Sequence, residues 1–260
     1  MTKVHKDITD KQLERYARHI IMDEVGDLGQ QKLLAAKVLV IGAGGLGSAM
    51  LTYLAAAGVG TIGVIDNDVV DLSNLQRQII HTTDDIGKNK AQNAAKRMLA
   101  INPDITVNIY SERLNADNAA TIIAPYDIVA DGCDNFATRL LVSDTAVTLK
   151  KTLVSAALGR FDGQLATFAP HLGTADNPLP CYRCFMPADP GPNAQRSCSD
   201  VGVLGPVAGI IGTMQATEVV KLIMGIGGSL VGKILIFDAL DMRSRVIALP
   251  ADPACPICRH

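Results

Sequence analysis

The chain has 260 residues, of which 48% are apolar and 19% are charged, and its formal net charge is −2. This composition excludes wholesale disorder, and it gives no electrostatic basis for nucleic acid or an anionic membrane as a partner. Residues 1–11 are polar and lack the apolar core of a signal peptide, so we expect a cytoplasmic protein. The longest apolar stretch, residues 207–224, contains Gln215, Glu218 and Lys221, which favours a buried helix over a membrane span.

Two helices are predicted at the start of the chain. Thr9-Asp10-Lys11-Gln12 has the pattern of a capping box and predicts a helix that carries Arg15 and Arg18. A second helix, at about residues 24–35, leads into an apolar strand at residues 37–41.

A glycine-rich turn, Gly42-Ala43-Gly44-Gly45-Leu46-Gly47, follows this strand and opens an alanine-rich helix at residues 48–57. A strand, a glycine turn and a helix in that order are the context in which a GxGxxG motif binds a nucleotide phosphate. A second strand, at residues 61–65, ends in Asp66, where an acid that binds ribose hydroxyls is expected. The predicted nucleotide-binding residues here are Gly42, Gly44, Gly45, Gly47 and Asp66. The glycine motif alone fits an unrelated ligand equally well.

The alternation of strands and helices continues to residue 156. Further strands are predicted at 106–109, 127–130 and 152–156, and further helices at 88–101, 117–124 and 136–150. This order predicts an α/β fold with a Rossmann-like, doubly wound and mainly parallel sheet.

The pattern changes after Gly159. Strands at 164–168, 233–237 and 245–249 predict an antiparallel C-terminal extension, and a long polar loop at 170–206 separates the first two of them. We expect one domain over residues 1–260. Its nucleotide-binding half is expected at 1–150. The half at 151–260, whose long loop holds three cysteines, is expected to dock a partner protein and to hold a metal.

A polar cassette after the second strand departs from a dinucleotide site. It consists of Ser73-Asn74-Leu75-Gln76-Arg77-Gln78 and Gly87-Lys88-Asn89-Lys90. A nicotinamide needs apolar walls at this point, whereas the cations of Arg77 and Lys90 suit a triphosphate. With the glycine turn and Asp66-Asn67-Asp68, the cassette resembles the MoeB/ThiF family of ATP-dependent activating enzymes, which are bacterial relatives of the ubiquitin-activating enzymes. The resemblance runs from Arg15-Tyr16-Ala17-Arg18 to the last cysteines.

The resemblance implies that the cassette binds ATP. Asn74, Arg77 and Lys90 are expected to contact the triphosphate, where cations stabilise the charge of the departing pyrophosphate. Ser73 and Gln76 of the same motif complete this part of the predicted site. The alternative for Arg77 and Lys90 is that they are ordinary surface charges.

Asp134 and Arg18 are the two further nucleotide-site residues that the resemblance implies. Asp134 follows an apolar strand and matches the family's Mg²⁺ ligand, and Asn135 beside it belongs to the same predicted site. Asp134 could also cap the helix that begins near Phe136. Arg18 is expected to enter the ATP site of a neighbouring subunit, which implies a homodimer; the alternative is a solvated arginine.

Two CxxC pairs predict a metal site. They are Cys181 with Cys184 and Cys255 with Cys258. In a reducing cytosol, paired cysteines are metal ligands more often than disulfides, and four thiolates suit a closed, structural Zn²⁺ site. Two redox-active pairs are the alternative.

Cys198 and Cys133 are the remaining cysteines. Cys198 lies in Arg196-Ser197-Cys198-Ser199-Asp200, and the matching cysteine takes part in sulfur transfer in some relatives. Arg196 could favour its thiolate, so a catalytic role and an inert loop thiol both stay open. Cys133, at the end of a strand, is expected to be a packing residue.

The reaction that the resemblance implies is adenylation of a small ubiquitin-like sulfur-carrier protein that ends in Gly-Gly. Its C-terminal carboxylate attacks the α-phosphate of ATP, pyrophosphate leaves, and sulfur is added later by a separate donor such as a cysteine desulfurase or a rhodanese. We expect a separate donor because no rhodanese-like segment follows Cys258. The molybdopterin-synthase carrier is favoured over the thiamine-pathway carrier, and a relative with tRNA or cysteine-synthesis duties stays possible.

Two functions of other classes are alternatives. An NAD-dependent oxidoreductase would use the glycine turn and Asp66, but it leaves the cassette and the CxxC pairs unexplained. A non-catalytic scaffold would not need the set formed by Arg77, Lys90 and Asp134.

Overall fold

The structure is a computed structural model that describes residues 8–186 and 202–258. Its helices are α1 (Asp10–Ile20), α2 (Gly26–Ala35), α3 (Gly45–Ala57), α4 (Lys90–Ile101), α5 (Ala119–Ile123), α6 (Phe136–Thr148), α7 (Tyr182–Phe185) and α8 (Gly205–Met224). Its strands are β1 (Lys37–Ile41), β2 (Thr61–Ile65), β3 (Thr106–Tyr110), β4 (Ile128–Asp131), β5 (Thr152–Leu158), β6 (Asp162–Phe168), β7 (Lys233–Asp238) and β8 (Arg243–Ala248).

All eight strands form one sheet in the order β3-β2-β1-β4-β5-β6-β7-β8. Strands β1 to β5 are parallel, and β6, β7 and β8 continue the sheet in antiparallel pairs. The predicted fold class is therefore confirmed. The chain winds outward from β1 to β3 and then returns to β4, so the order reverses between β1 and β4. In open α/β sheets, ligands bind beyond the carboxyl ends of the strands at such a reversal.

Helix α8 is the central helix on one face of the sheet. It packs against α3, β5 and β6, and its Val207, Ala208 and Ile211 are fully buried. By length and composition α8 could cross a membrane, but two polar side chains within it are buried and bonded to the sheet and to the loop after the helix. Gln215 Nε2 donates to the carbonyls of β4 and β5 at 2.9 Å, and Glu218 accepts from Thr167 Oγ1 at 3.1 Å. The predicted buried helix is confirmed.

The N-terminal helix has the predicted cap. The Thr9 hydroxyl accepts from the backbone N–H of Gln12, and the Gln12 side chain accepts from the backbone N–H of Thr9, which completes the capping box. The cap fixes the start of α1 and so the position of Arg18 near its last turn.

Several predicted boundaries were wrong. Helix α3 begins at Gly45 and not at residue 48, because the last glycines of the turn already have helical geometry. Helix α5 covers only residues 119–123 of the predicted 117–124, and β8 begins at Arg243 and not at residue 245. The predicted loop at 170–206 contains a 3-10 turn at Pro170–Leu172, helix α7 and the first residues of α8.

Candidate functional site

A cavity of about 470 Å³ lies beyond the carboxyl ends of β1, β2 and β4, at the reversal of strand order. This volume is in the range of small-molecule sites. Eight of the predicted site residues line it: Gly42, Gly44, Gly45, Asp66, Arg77, Lys90, Asp134 and Asn135. These eight residues were predicted from separate segments of the chain between positions 42 and 135, and the fold brings them together around one cavity.

The glycine turn brings the start of α3 close to the end of β1. Gly42 has φ of 92°, and its N–H donates to the Ile65 carbonyl at 2.9 Å, which joins the turn to β2. A Cβ on Gly47 would collide with the Gly42 carbonyl, so Gly47 is needed for packing and does not line the cavity. Gly44 is the N-cap of α3 and gives no side-chain cap. The first N–H groups of a helix lack intrahelical partners, so this end of α3 suits an anion.

Asp66 is tied to the glycine turn. Its carboxylate accepts from the backbone N–H of Ala43 at 2.8 Å and from that of Asp68 at 2.9 Å. Burial raises the pKa of Asp66, while these two hydrogen bonds and the charge of Lys90 oppose the rise. The carboxylate can still accept further hydrogen bonds, as a ribose-binding acid must.

His81 supports the glycine turn from the protein interior. It is 4% exposed, its Nε2 lies 2.9 Å from the Ala43 carbonyl, and its Nδ1 lies 2.8 Å from the Asn93 amide nitrogen. Since a carbonyl only accepts and the amide nitrogen only donates, Nε2 carries the proton and Nδ1 accepts. Burial lowers the pKa of His81, so this neutral form persists.

Lys90 is a buried cation at the cavity wall. Its side chain is 8% exposed, and its Nζ pairs at 3.1 Å with the carboxylate of Asp68, whose side chain is 62% exposed. Arg77 lies beside Gly45 and donates from Nη1 to the Ser73 carbonyl at 3.1 Å. Arg77 therefore lies at the helix end where an anion is expected, and Lys90 lines the same cavity.

Other residues of the cassette shape the loop. Ser73, Asn74 and Gln76 do not line the cavity. Asp71 and Asn74 form a capping box around the 3-10 turn at Leu72–Asn74, with Asn74 Oδ1 accepting from the Asp71 N–H at 3.3 Å. The Gln76 carbonyl closely approaches Gly205 at the start of α8. In this structure these three residues hold the loop that presents Arg77.

The loop after β4 presents Asp134 to the cavity. Asp134 is exposed and lines the wall, while Asn135 caps α6 by accepting from the Thr138 N–H at 2.8 Å. The alternative that Asp134 caps this helix is therefore wrong. The capping bond occupies Asn135 Oδ1 and leaves the Asp134 carboxylate available to a ligand.

Sequence reasoning missed several cavity residues. Gln78, Glu112, Arg113 and Tyr182 line the cavity, and Gln78 is 5% exposed, with no hydrogen-bond partner for its Oε1 among the residues that the structure describes. Arg139 also lines it and is 8% exposed. Gln78 belongs to the quoted cassette and could have been found there. Tyr182 lies within the first CxxC pair, but nothing in that pair indicates that it faces the cavity. Glu112, Arg113 and Arg139 come from other elements and belong to no motif.

Arg18 and the remaining cysteines have different positions. Arg18 is exposed near the end of α1 and does not line the cavity of its own chain. Cys133 packs against the core on one side and lines the cavity on the other, and burial raises the pKa of its thiol well above the usual value. Cys198 and Arg196 lie outside the described residues.

Four cysteines form a cluster that suits a tetrahedral metal. The sulfurs of Cys181, Cys184, Cys255 and Cys258 all lie within 4.8 Å of one another. The separations are 4.0 Å for Cys181–Cys184, 3.6 Å for Cys181–Cys255 and 3.4 Å for Cys184–Cys258. Zn–S bonds of about 2.3 Å in a tetrahedron separate two sulfurs by about 3.8 Å, so the spacing fits Zn²⁺.

Comparison with known proteins agrees with this geometry. The ThiF family model matches residues 16–257. The chain is 46% identical over 251 residues to a sulfur carrier protein adenylyltransferase of Thermus thermophilus. This match covers 96% of the chain and 92% of that protein. It is 47% identical to a probable adenylyltransferase/sulfurtransferase MoeZ of Mycobacterium tuberculosis, of which it spans 63%.

The fold also matches a solved structure. The crystal structure of E. coli MccB with ATP superposes with a TM-score of 0.81 at 24% identity, over 95% of this chain and 75% of that one. With nearly its whole length matched by the family and its relatives named for the same chemistry, the chain belongs to the ThiF family and is an adenylyltransferase.

Proposed function

We propose that this protein adenylates the C-terminal Gly-Gly carboxylate of a small ubiquitin-like sulfur-carrier protein, using ATP and releasing pyrophosphate. The observation that carries the proposal is the convergence of Lys90, Arg77 and Asp134 around the N-terminal end of α3 in one cavity. A triphosphate needs cations and free N–H groups, and a metal-bound phosphate needs a carboxylate. The NAD-dependent oxidoreductase and the non-catalytic scaffold are set aside, because the chain belongs to a family of adenylating enzymes.

Binding and positioning account for catalysis in this mechanism. The Asp66 carboxylate accepts from the ribose hydroxyls, and the glycine turn receives the phosphates. The carrier carboxylate is already ionised at neutral pH, so its attack on the α-phosphate needs no general base. The α-phosphate bond to the pyrophosphate breaks as the acyl-phosphate bond forms. Lys90 and Arg77 stabilise the negative charge that moves onto the pyrophosphate.

Asp134 is the residue proposed to hold Mg²⁺. Its carboxylate is exposed at the cavity wall and is not used for helix capping, which fits a hard cation. Mg²⁺ neutralises phosphate charge when bound. Asp134 would supply the carboxylate that holds the metal in the cavity that Lys90 and Arg77 also line.

The four-cysteine cluster is proposed to hold a structural Zn²⁺. It ties α7 to the C-terminal segment at 255–258, and four thiolates leave no position open for a water molecule. Reduced cysteines that ligate a metal also favour a cytoplasmic enzyme.

The carrier and the subunit arrangement complete the proposal. The Thermus thermophilus relative is named for a sulfur carrier protein, and the molybdopterin-synthase carrier is favoured over the thiamine-pathway carrier. Sulfur comes from a separate donor, a cysteine desulfurase or a rhodanese. Arg18, exposed and outside the cavity of its own chain, is proposed to enter the ATP site of a second copy in a homodimer.

ATP–pyrophosphate exchange tests the proposal. Candidate Gly-Gly-tailed carriers are added one at a time with Mg²⁺ to the folded, zinc-loaded protein. We expect exchange with one carrier, and loss of exchange when the terminal glycine of that carrier is removed. Exchange that is unaffected by this removal, or none with a complete set of carriers, would contradict carrier adenylation.

A further inference from the structure

A buried polar cluster lies beneath the wall of the cavity that carries Asp134. Asp131, at the end of β4, is 1% exposed, and its Oδ2 accepts from Ser155 Oγ on β5 at 3.1 Å. Arg139, in the first turn of α6, donates from Nη1 to Ser155 Oγ at 3.3 Å and lies 3.5 Å from Asp131 Oδ2. The cluster joins two strands and a helix at the switch point of the sheet.

The same cluster fixes both polar groups of the Cys133 backbone. The Cys133 N–H donates to Asp131 Oδ1 at 2.9 Å, and the Cys133 carbonyl accepts from Arg139 Nη2. Asp134 is the next residue along the chain, and no hydrogen bond to another described residue holds its exposed carboxylate. The peptide that precedes Cys133 is therefore held by the Asp131 carboxylate, and the peptide that precedes Asp134 is held by the Arg139 guanidinium.

Tyr182 connects this cluster to the metal site. It follows Cys181 directly, it is 6% exposed, and its ring contacts Phe168 and Phe185 edge-on, with centroids 5.6 and 6.2 Å apart. Tyr182 and Arg139 line the same cavity, and the Arg139 charge is near enough to oppose the rise that burial causes in the pKa of the Tyr182 hydroxyl. A side chain from between two cysteine ligands thus reaches the cation that holds the Asp134 loop.

From these contacts we infer that Arg139 is a positioning residue for adenylation. It places the Cys133–Asp134 peptide at the cavity wall, and Tyr182 makes this placement depend on the cysteine cluster. The inference rests on the proposed function of Asp134. A buried Arg–carboxylate pair gives little net stability compared with apolar packing, so stability alone is a weak reason for Arg139 to lie there. Its geometry, with two nitrogens used on two different partners, suits an orienting role.

Two variants test the inference. Arg139→Lys keeps the charge but cannot donate to Ser155 and to the Cys133 carbonyl in the same fork geometry, and Tyr182→Phe removes only the hydroxyl. Amide hydrogen exchange reports the loop directly, without substrate. We expect exchange at residues 132–135 to rise about tenfold or more in Arg139→Lys and about threefold in Tyr182→Phe, with exchange in β4 itself unchanged.

Binding of ATP, measured by calorimetry with and without Mg²⁺, separates positioning from general damage. In Arg139→Lys we expect the affinity for ATP with Mg²⁺ to fall about tenfold and the affinity for ATP with a chelator to change less than about threefold. A merely structural role would weaken both together with the Tm. Lys221→Met is the matched control, because Lys221 also pairs with a buried carboxylate, Glu218 at 2.9 Å, but far from the cavity.

The outcomes are distinct. Unchanged amide exchange at residues 132–135 in folded, zinc-loaded Arg139→Lys would overturn the inference, as would equal losses of ATP affinity with and without Mg²⁺. Absence of ATP binding by the unmodified protein would instead contradict the proposed function. Amide exchange still tests the positioning of the loop in that case.

Discussion

Replacing Lys90 by methionine should separate catalysis from stability. The Lys90 side chain is 8% exposed, but its partner Asp68 is 62% exposed and 3.1 Å away. The ammonium therefore loses hydration that a largely solvated carboxylate only partly replaces, and the pair adds at most about 1 kcal/mol to stability. Methionine has a similar length and no charge to desolvate. We expect the free energy of unfolding to change by less than about 1 kcal/mol, which limits the Tm shift to at most about 4 °C.

The effect on catalysis should be much larger. If Lys90 stabilises the charge on the leaving pyrophosphate, its loss removes about 2.7–4 kcal/mol from the transition state, which lowers kcat/KM about 100- to 1,000-fold. ATP–pyrophosphate exchange with the carrier that supports it measures this, and thermal unfolding measures stability. Lys88→Met is the control, since Lys88 is 55% exposed, pairs with Asp85 and lies outside the cavity. Exchange within threefold of the unmodified protein in Lys90→Met, or a loss of exchange that only follows unfolding, would refute the reasoning.

Three further predictions concern the metal, a buried histidine and the dimer. Cys255→Ser should abolish stoichiometric zinc binding and lower the Tm by about 10 °C, as metal analysis and calorimetry will show; full zinc content would contradict the cluster. The unfolded chain binds a proton on His81 below pH of about 6.5 while the folded chain does not, so stability should fall as the pH drops from 7.5 to 5.5. The change of stability with pH should be smaller in His81→Gln than in the unmodified protein. Equal pH dependence in the two proteins would count against a neutral buried His81. Arg18→Ala and Lys90→Met, each inactive alone, should recover about a quarter of the activity when mixed, and no recovery would place Arg18 outside the partner's site.

The first two strands could be predicted to the residue. Lys37–Ile41 and Thr61–Ile65 are apolar runs, and glycines or acids end them sharply. The start of α3 could not, because Gly45 and Gly47 look like turn residues. They are helical, and Gly47 is there because a side chain would collide with the Gly42 carbonyl. A contact between two backbones leaves no signature in the residue pattern.

The boundaries of β8 depend on pairing across the sheet. Arg243 pairs with Asp238, so the strand begins as soon as the hairpin from β7 closes. All six of its residues are exposed, and no alternation of apolar and polar side chains marks the start. Pairing with β7 therefore decides where β8 begins, and the strand propensity of its own residues does not.

The site was predictable where a motif is contiguous in the chain. Arg77, Lys90 and Asp134 were found because each sits within or just after a recognisable pattern, and all three line the cavity. Arg139 and Tyr182 were not, because Arg139 reaches the Asp134 loop from α6 and Tyr182 lines the cavity from within the first cysteine pair. Only the folded chain brings those elements together.

The continuity of the sheet has a mechanical consequence. Strand β5 pairs with β4 on one side and, over six residue pairs from Leu153↔Phe168 to Leu158↔Gly163, with β6 on the other. Helix α8 packs across the same junction. Across residues 8–186 and 202–258 the antiparallel strands continue the parallel sheet without a break, so this part of the chain has no hinge between two rigid bodies. We therefore expect loops at the rim of the sheet to accommodate substrate entry and product release, while the strands stay fixed as a common frame.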